Sequence, residues 1–387
     1  MQAFLLLASL LLTTPSTDRK VESGADASFP APDSADATLG SPEAAANLPP
    51  APLEASLDDL LDLPTPMREA FKQQVNNGPN GASARFDRLV DFVFSPSGMQ
   101  VRYDEAATHS VAQTWATRRA NCVGFTLLFL ALAREAGLPA QAQEFRRTLA
   151  WQQSSDTVFR SSHVNLRVRA GSNRYTVDVA RGRVITVDEP LTISDDRLLA
   201  HYHNNIAIEL MAAGRIDEAL ARIEQAISID PRYATHWSNA GVIRLRAGDE
   251  AGAARAYRQA LELDPEEYGT VFNLVQLLEH QRDDAQAATF RLQQKAIQRR
   301  DPLHHFLLGL GAERAGEPAL AIQHYHAAVQ LHASEHRFHA ALARAYLADG
   351  DTRNAIASMR DARDNSSGPI ADAYTTQLEL LRNQSAD

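Results

Sequence analysis

The stretch NCVGFTLLFLALAREAGLPA, residues 121–140, holds the only cysteine of this 387-residue chain, set directly before a long apolar run. Between Val123 and Ala136 the apolar residues fall on every helical face, the mark of a helix buried on most sides. Gly137, followed by Pro139, ends it. A thiol at the start of such a helix meets backbone N–H groups without intrahelical acceptors and the positive end of the helix dipole, both of which favour thiolate. Two readings stand for Cys122. It is a small core hydrophobe, or it is a nucleophile, which needs an imidazole to exchange its proton and an acceptor to orient that imidazole.

Downstream of a polar loop, HVNLRVRAGSNRYTVDVA (163–180) changes period. Val164, Leu166 and Val168 alternate with His163, Asn165, Arg167 and Arg169, and beyond the turn Tyr175, Val177 and Val179 alternate with Thr176, Asp178 and Ala180. That is a β-hairpin turning within AGSN. A two- or four-residue turn opposes residues of unlike parity, so His163 and Asp178 share a face, opposite or diagonal. A three-residue turn would part them. Asp188, in VITVDEP, is a rival carboxylate beyond the hairpin and beside a proline turn. Upstream, Thr65 and Pro66 open a helix, a second follows around Ala82–Phe94, and a third begins near Ser110.

The formal net charge of −10 repels phosphate backbones and speaks against a nucleic-acid partner. A single cysteine rules out an intrachain disulfide framework, a Cys-rich zinc site and a Cys-ligated iron–sulfur cluster. The apolar run Ala3–Leu12 is too short to span a bilayer as an ordinary helix and has the length of a signal-peptide core. Residues 1–19 are therefore expected to be a signal peptide, with a periplasmic or secreted protein, or a cytoplasmic one if the run is no signal. Residues 20–56, rich in Ala, Pro and Ser, are expected to be a disordered linker, with order from Leu57. No other run is long and apolar enough for an integral membrane span.

The last half is a repeat array. ISIDP ending at Pro231 and LELDP ending at Pro265 lie 34 residues apart. Small and aromatic positions recur with them: Ala219 and Ala226, then Gly241, Ala253, Tyr257 and Ala260. Gly309, Ala321, Tyr325 and Ala328 return 34 residues on as Ala343, Ala355, Met359 and Ala362. The unit from Tyr268 to Arg300 reads as degenerate and about three residues longer. The pattern resembles the tetratricopeptide repeat, with five units over 198–366 and a capping helix and tail over 367–387. Asn205, Asn239 and Asn273 hold one position in three successive units, and such a ladder on a concave face offers amide donors and acceptors to an extended peptide. His304, His305, His324, His326, His332, His336 and His339 crowd two repeats, but with no partnered carboxylates and no HExxH they read as packing or solvated residues. No metal and no cofactor is expected.

NCVGFTLLFLALAREAGLPA, then HVNLRV, then YTVDVA resembles the transglutaminase-like superfamily, related to papain-type folds. The resemblance spans roughly 57–190, and YDEAATHSVAQTWATRRAN looks like the lead-in of bacterial members that carry tetratricopeptide repeats. It implies an α+β papain/transglutaminase-like domain over 57–195, followed by an all-α tetratricopeptide-repeat solenoid. It implies Cys122 as nucleophile, His163 as general base and acid, and Asp178 as the group holding the imidazole. Trp115 could supply an oxyanion-hole contact. The function so implied is a thiol-dependent acyl-transfer enzyme, a peptidase or amidase if water accepts the acyl group and a transamidase if an amine does. The repeat groove would hold a polypeptide substrate or protein partner. The alternative is a non-catalytic, protein-binding scaffold with an inactive transglutaminase-like module.

Overall fold

The computed structural model describes residues 49–79, 81–145, 151–154, 157–160, 163–179 and 189–384. The expected signal peptide, most of the expected linker and Asp188 lie outside the described residues. By contacts the chain forms a first compact unit ending at Asn273 and a second beginning at Leu274.

The first unit opens with α1 (Leu57–Leu61), capped by Ser56, then α2 (Thr65–Phe71), which runs on through a π turn at Lys72–Asn76, and α3 (Ala82–Phe94). A short strand β1 (Arg102–Tyr103) pairs in parallel with β2 (Arg119–Ala120), and α4 (Val111–Thr117) lies between them. The long apolar helix is α5 (Cys122–Glu135), and every residue from Cys122 to Ala133 is buried. Its all-round burial is what the missing polar stripe requires, and Gly137 leaves it at φ +66°.

The sheet that α5 packs against has the order β7–β6–β3–β8, all neighbours antiparallel: β3 (Ala140–Phe145), β6 (His163–Ala170), β7 (Asn173–Val177) and β8 (Leu191–Thr192). The β6–β7 turn is the two-residue Gly171–Ser172, since Ala170 pairs with Asn173. A separate hairpin, β4 (Trp151–Ser154) with β5 (Thr157–Arg160), lies between β3 and β6 in the chain. Residues 141–162, read from the sequence as a polar loop, thus include an inner strand. The reason lies in β3 itself: its buried Gln143 and Glu144 break the apolar alternation that marks a half-buried strand. Glu144 is accommodated because it accepts from His201 Nε2 at 3.0 Å and Arg197 Nη1 at 3.0 Å. Burial alone pushes the Glu144 carboxyl up, but its contacts with His201 and Arg197 outweigh it and hold it below the ordinary carboxylate range.

Helical hairpins follow: α6 (Asp195–Ala212) with α7 (Ile216–Ile229), then α8 (Ala234–Arg246) with α9 (Glu250–Leu263). One hydrophobic core runs without a break from Leu57, Phe86 and Phe129 through Leu198, Tyr202 and Ile206 to Ile243 and Ala256. The N-terminal domain thereby covers the apolar face of the first repeat, the role a polar capping repeat plays in other solenoids. Residues 49–55 join this cover, although composition reads them as linker. Ala51 N–H donates to Tyr202 Oη at 3.2 Å, Gln113 Nε2 to Pro49 O at 2.7 Å, and Arg222 to the carbonyls of Ala51 and Pro52. The extended Pro-rich chain has its main-chain groups satisfied by side chains from elsewhere, which local composition cannot reveal.

Helix α10 (Tyr268–His280) spans the boundary between the units. The second unit continues with α11 (Asp284–Gln298), α12 (Pro302–Ala315), α13 (Pro318–Leu331), α14 (His336–Ala348), α15 (Thr352–Asp364) and the final α16 (Gly368–Gln384). From α8 to α10, α12 and α14 the starting residues keep a spacing of 34, so the unit read as three residues longer is of ordinary length. Tyr374, Leu378 and Leu381 of α16 bury the last repeat's Ala340, Ala343 and Met359. The repeat period rests on paired sizes. A Cβ on Gly241 would come 2.3 Å from Tyr257 Cε1, and one on Gly309 2.4 Å from Tyr325 Cε1. Where the first residue is Ala, as at 207 and 343, the second is the narrower Ile223 or Met359.

Candidate active site

Cys122 is the first residue of α5, buried to 5% exposure. Asn121 is the N-cap: its Oδ1 accepts from Gly124 N–H at 2.9 Å, and its own N–H donates to Ala107 O at 2.9 Å. Phe125 N–H closes the first turn on Asn121 O at 2.9 Å. The N–H groups of Cys122 and Val123 have no hydrogen bond to a described residue, so the sulfur sits beside backbone donors. An Asn directly before an apolar run is a readable N-cap signal. A close approach explains Gly124: a Cβ there would lie 3.0 Å from both His109 N and O and 3.1 Å from Ala107 O.

The sheet brings the imidazole to this helix end. His163 starts β6 and pairs with Phe145, the last residue of β3. The Phe145 ring stacks on the imidazole, with centroids 5.7 Å apart and planes 28° apart. His163 Nε2 meets Asp178 Oδ2 at 2.6 Å. The observed register pairs Leu166 with Val177, so one residue further Asp178 faces Asn165 and lies diagonal to His163. Asn165 uses that position, with Nδ2 donating to the same Asp178 Oδ2 at 3.2 Å. Cys122 is the third member of the group, close enough to the imidazole to add to its basicity. With Nε2 held by Asp178, Nδ1 is the ring nitrogen left for proton exchange.

The electrostatics follow from this enclosure. Burial lowers the basicity of His163, but the Asp178 charge and hydrogen bond, helped by Cys122, overcome it and raise the ring to about 10. Both partners are secluded, with side-chain exposures of 5% and 12%. An imidazolium held against a carboxylate is thus the favoured state of the ring at neutral pH.

The other residues singled out in the sequence fall elsewhere. Trp115 packs against the core beneath Arg118, whose guanidinium carbon lies 3.7 Å from the ring centroid. Asn239 and Asn273 are buried, and Asn239 Nδ2 donates to Asn204 Oδ1 at 2.9 Å. Asn205 is half-buried, its Oδ1 accepting from Asn204 Nδ2 at 3.4 Å. Among the crowded histidines, His326 meets Tyr346 Oη at 3.0 Å, His336 meets Tyr374 Oη at 2.9 Å and His339 meets Ala333 O at 2.7 Å. Among the described residues there is no group of three or more His, Cys, Asp or Glu able to hold a metal ion. No described helix is long and apolar enough to cross a membrane.

The sequence profile of the transglutaminase-like superfamily matches residues 69–169, and that of the tetratricopeptide repeat matches 204–268 and 306–369. The chain carries a transglutaminase-like domain followed by tetratricopeptide repeats. Cys122 and His163 lie inside the first match, and Asp178 lies beyond its end. The Hsp70-Hsp90 organizing protein of Triticum aestivum is 36% identical over 67 residues, 17% of this chain and 12% of that one. The chloroplastic tetratricopeptide repeat domain-containing protein PYG7 of Arabidopsis thaliana is 28% identical over 71 residues, 18% of this chain and 24% of that one. The chain therefore spans a quarter or less of the length of these two relatives. Among solved structures, YrrB, described as a TPR protein with an unusual peptide-binding site, matches at 17% identity and TM-score 0.25, over 46% of this chain and 92% of that one. The thermophilic TPR protein TTC0263 of Thermus thermophilus matches at 20% identity and TM-score 0.26, over 47% and 98%.

Phe145 and Asn165 are the site residues that sequence reasoning missed. Phe145 sits in the strand read as loop. Asn165 was legible only as a polar position on the face of His163, and its partner depends on the register.

Proposed function

We propose that the protein is a thiol-dependent acyl-transfer enzyme acting on carboxamide groups of a polypeptide, which the repeat groove helps to hold. The observation that carries this reading is the buried His163–Asp178 pair, 2.6 Å apart, beside a cysteine at the N-terminus of α5. Cys122 Sγ attacks the carbonyl carbon, and the π electrons move to oxygen. The Cys122 N–H at the end of α5 is the available donor for that oxyanion. Collapse breaks the C–N bond, and the leaving amine takes the proton of His163 Nδ1, leaving a thioester on Cys122. Water or a second amine then adds to the thioester and gives its proton to His163. Expulsion of the thiolate yields a carboxylate or a new amide. Asp178 keeps the ring oriented through both proton transfers. Tetratricopeptide repeats support a protein partner, and of the three laddered asparagines Asn205 keeps partial exposure for a main-chain contact.

The test uses a glutamine-bearing protein with and without a fluorescent primary amine, following ammonia release and amine incorporation for wild type, Cys122→Ala and His163→Ala. Ammonia alone indicates hydrolysis, and label in the acceptor protein indicates transamidation. Equal signal from all three proteins, together with iodoacetamide labelling of Cys122 unchanged by His163→Ala, would leave the domain a scaffold.

A further inference from the structure

Helix α6 belongs to the first repeat, yet one of its side chains reaches the loop beneath the reactive thiol. Glu209 Oε1 accepts from Thr108 N–H at 3.1 Å and from Thr108 Oγ1 at 2.5 Å. Thr108 Oγ1, having given its one proton to Glu209, accepts from Asn121 Nδ2 at 2.6 Å. Asn121 is the N-cap of α5, and its Oδ1 takes the Gly124 N–H. Every donor in this relay points the same way, from the helix end to the carboxyl group, so only an acceptor at position 209 completes it.

We propose that Glu209 is a positioning residue for Cys122, acting through Thr108 and Asn121 to set the first turn of α5. The proposal rests on the thiol-enzyme reading for its link to turnover, but not for its geometry. The loop Ala107–His109 is held from two sides, by Glu209 on Thr108 and by close backbone packing on Gly124. Thr108 is 1% exposed and Asn121 4%, so water is a poor substitute acceptor if the carboxyl group is removed. Asn121 N–H is tied to the same loop at Ala107 O, 2.9 Å away, so a shift of the loop moves the cap and with it the sulfur. Burial, with Asp104 nearby, raises the Glu209 carboxyl to about 7 against the pull of the Thr108 bonds. The Oε1 acceptor serves the relay in both protonation states, and a Gln carbonyl can replace it.

The experiment measures, in the full-length chain, the second-order rate of Cys122 alkylation by iodoacetamide at pH 6, beside turnover and thermal midpoint. Glu209→Ala is expected to slow alkylation about five- to tenfold, the scale of losing a helix cap, whereas Glu209→Gln stays within about twofold of wild type. Thr108→Ser preserves the relay and the rate. Thr108→Val slows alkylation as Glu209→Ala does, and the double variant loses no more than either single one. An alkylation rate in folded Glu209→Ala equal to or above that of wild type overturns the proposal, and so do losses that add in the double variant. Equal loss in Glu209→Gln also overturns it. Absence of turnover in wild type defeats the enzymatic reading alone, because alkylation still reports the position of the sulfur.

Discussion

Replacing Asp178 with Asn removes one negative charge and keeps the shape. The Asn oxygen can still accept from His163 Nε2–H, but the attraction that overcame burial is gone. His163 is 4% exposed, so burial then governs the ring, and its pKa should fall from about 10 to below the ordinary 6.5. The linkage sign is definite. A group whose folded pKa is raised contributes stability that is complete below pH 6.5 and is lost as the pH rises through about 10. Disrupting a buried pair of this kind costs roughly 3–5 kcal/mol, so Asp178→Asn should be less stable by that order at pH 6. The gap should narrow as the pH rises from 6.5 and be mostly gone by about pH 10, where the wild-type ring is losing its proton. The assay is an NMR titration with 13C-labelled histidine, the His163 signal assigned by its loss in His163→Gln, beside denaturant unfolding at pH 6 and pH 10. Alkylation of Cys122 at pH 6 should fall at least about tenfold with the loss of the imidazolium. A His163 midpoint that stays above about 8 in the variant, or a stability gap independent of pH, would refute the argument that the carboxylate charge controls the ring.

Gly241→Ala should destabilise the protein by about 1–3 kcal/mol through overlap with the Tyr257 ring. Adding Tyr257→Ile, which recreates the Ala207–Ile223 pairing of the first repeat, should recover most of that loss in a thermal melt; no recovery would mean the two positions are not coupled. Glu144→Ala should cost about 3–5 kcal/mol, because it leaves buried His201 and half-buried Arg197 without their shared acceptor; urea unfolding that moves by less than about 1 kcal/mol would contradict this. Burial, reinforced by Arg222 and His201 respectively, lowers His203 to about 4 and His236 to about 3. Both stay neutral in the folded chain while the unfolded chain takes up protons below pH 6.5, so their share of stability is lost as the pH falls towards 4 and 3. Replacing His236 with Gln should flatten the dependence of the thermal midpoint on pH between 6.5 and 4, and an unchanged slope would count against it.

Several features were legible in the chain because their causes are local. The apolar residues of Cys122–Ala133, continuous around the helix, could only be buried on all sides, and Gly137 marked its end. Alternation in 163–180 showed a hairpin, and parity placed His163 and Asp178 on one face for an even-numbered turn, which the fold supplies as Gly171–Ser172. The repeat period showed in paired small and aromatic residues, because each pair fills one space between two helices. Other features depend on partners far away in sequence. β3 hid its strand because Gln143 and Glu144 are buried polar residues, and Glu144 is compensated by His201 and Arg197 from the first repeat helix. Residues 49–55 read as linker because their hydrogen-bond partners, Gln113, Tyr202 and Arg222, are 64 to 171 residues away. The ladder of asparagines showed its spacing in the sequence, but only the fold decided that Asn239 would turn its amide to Asn204. Periodicity determines which side of an element is buried. What meets that side, and whether a buried charge finds its counter-charge there, is decided when distant segments pack together.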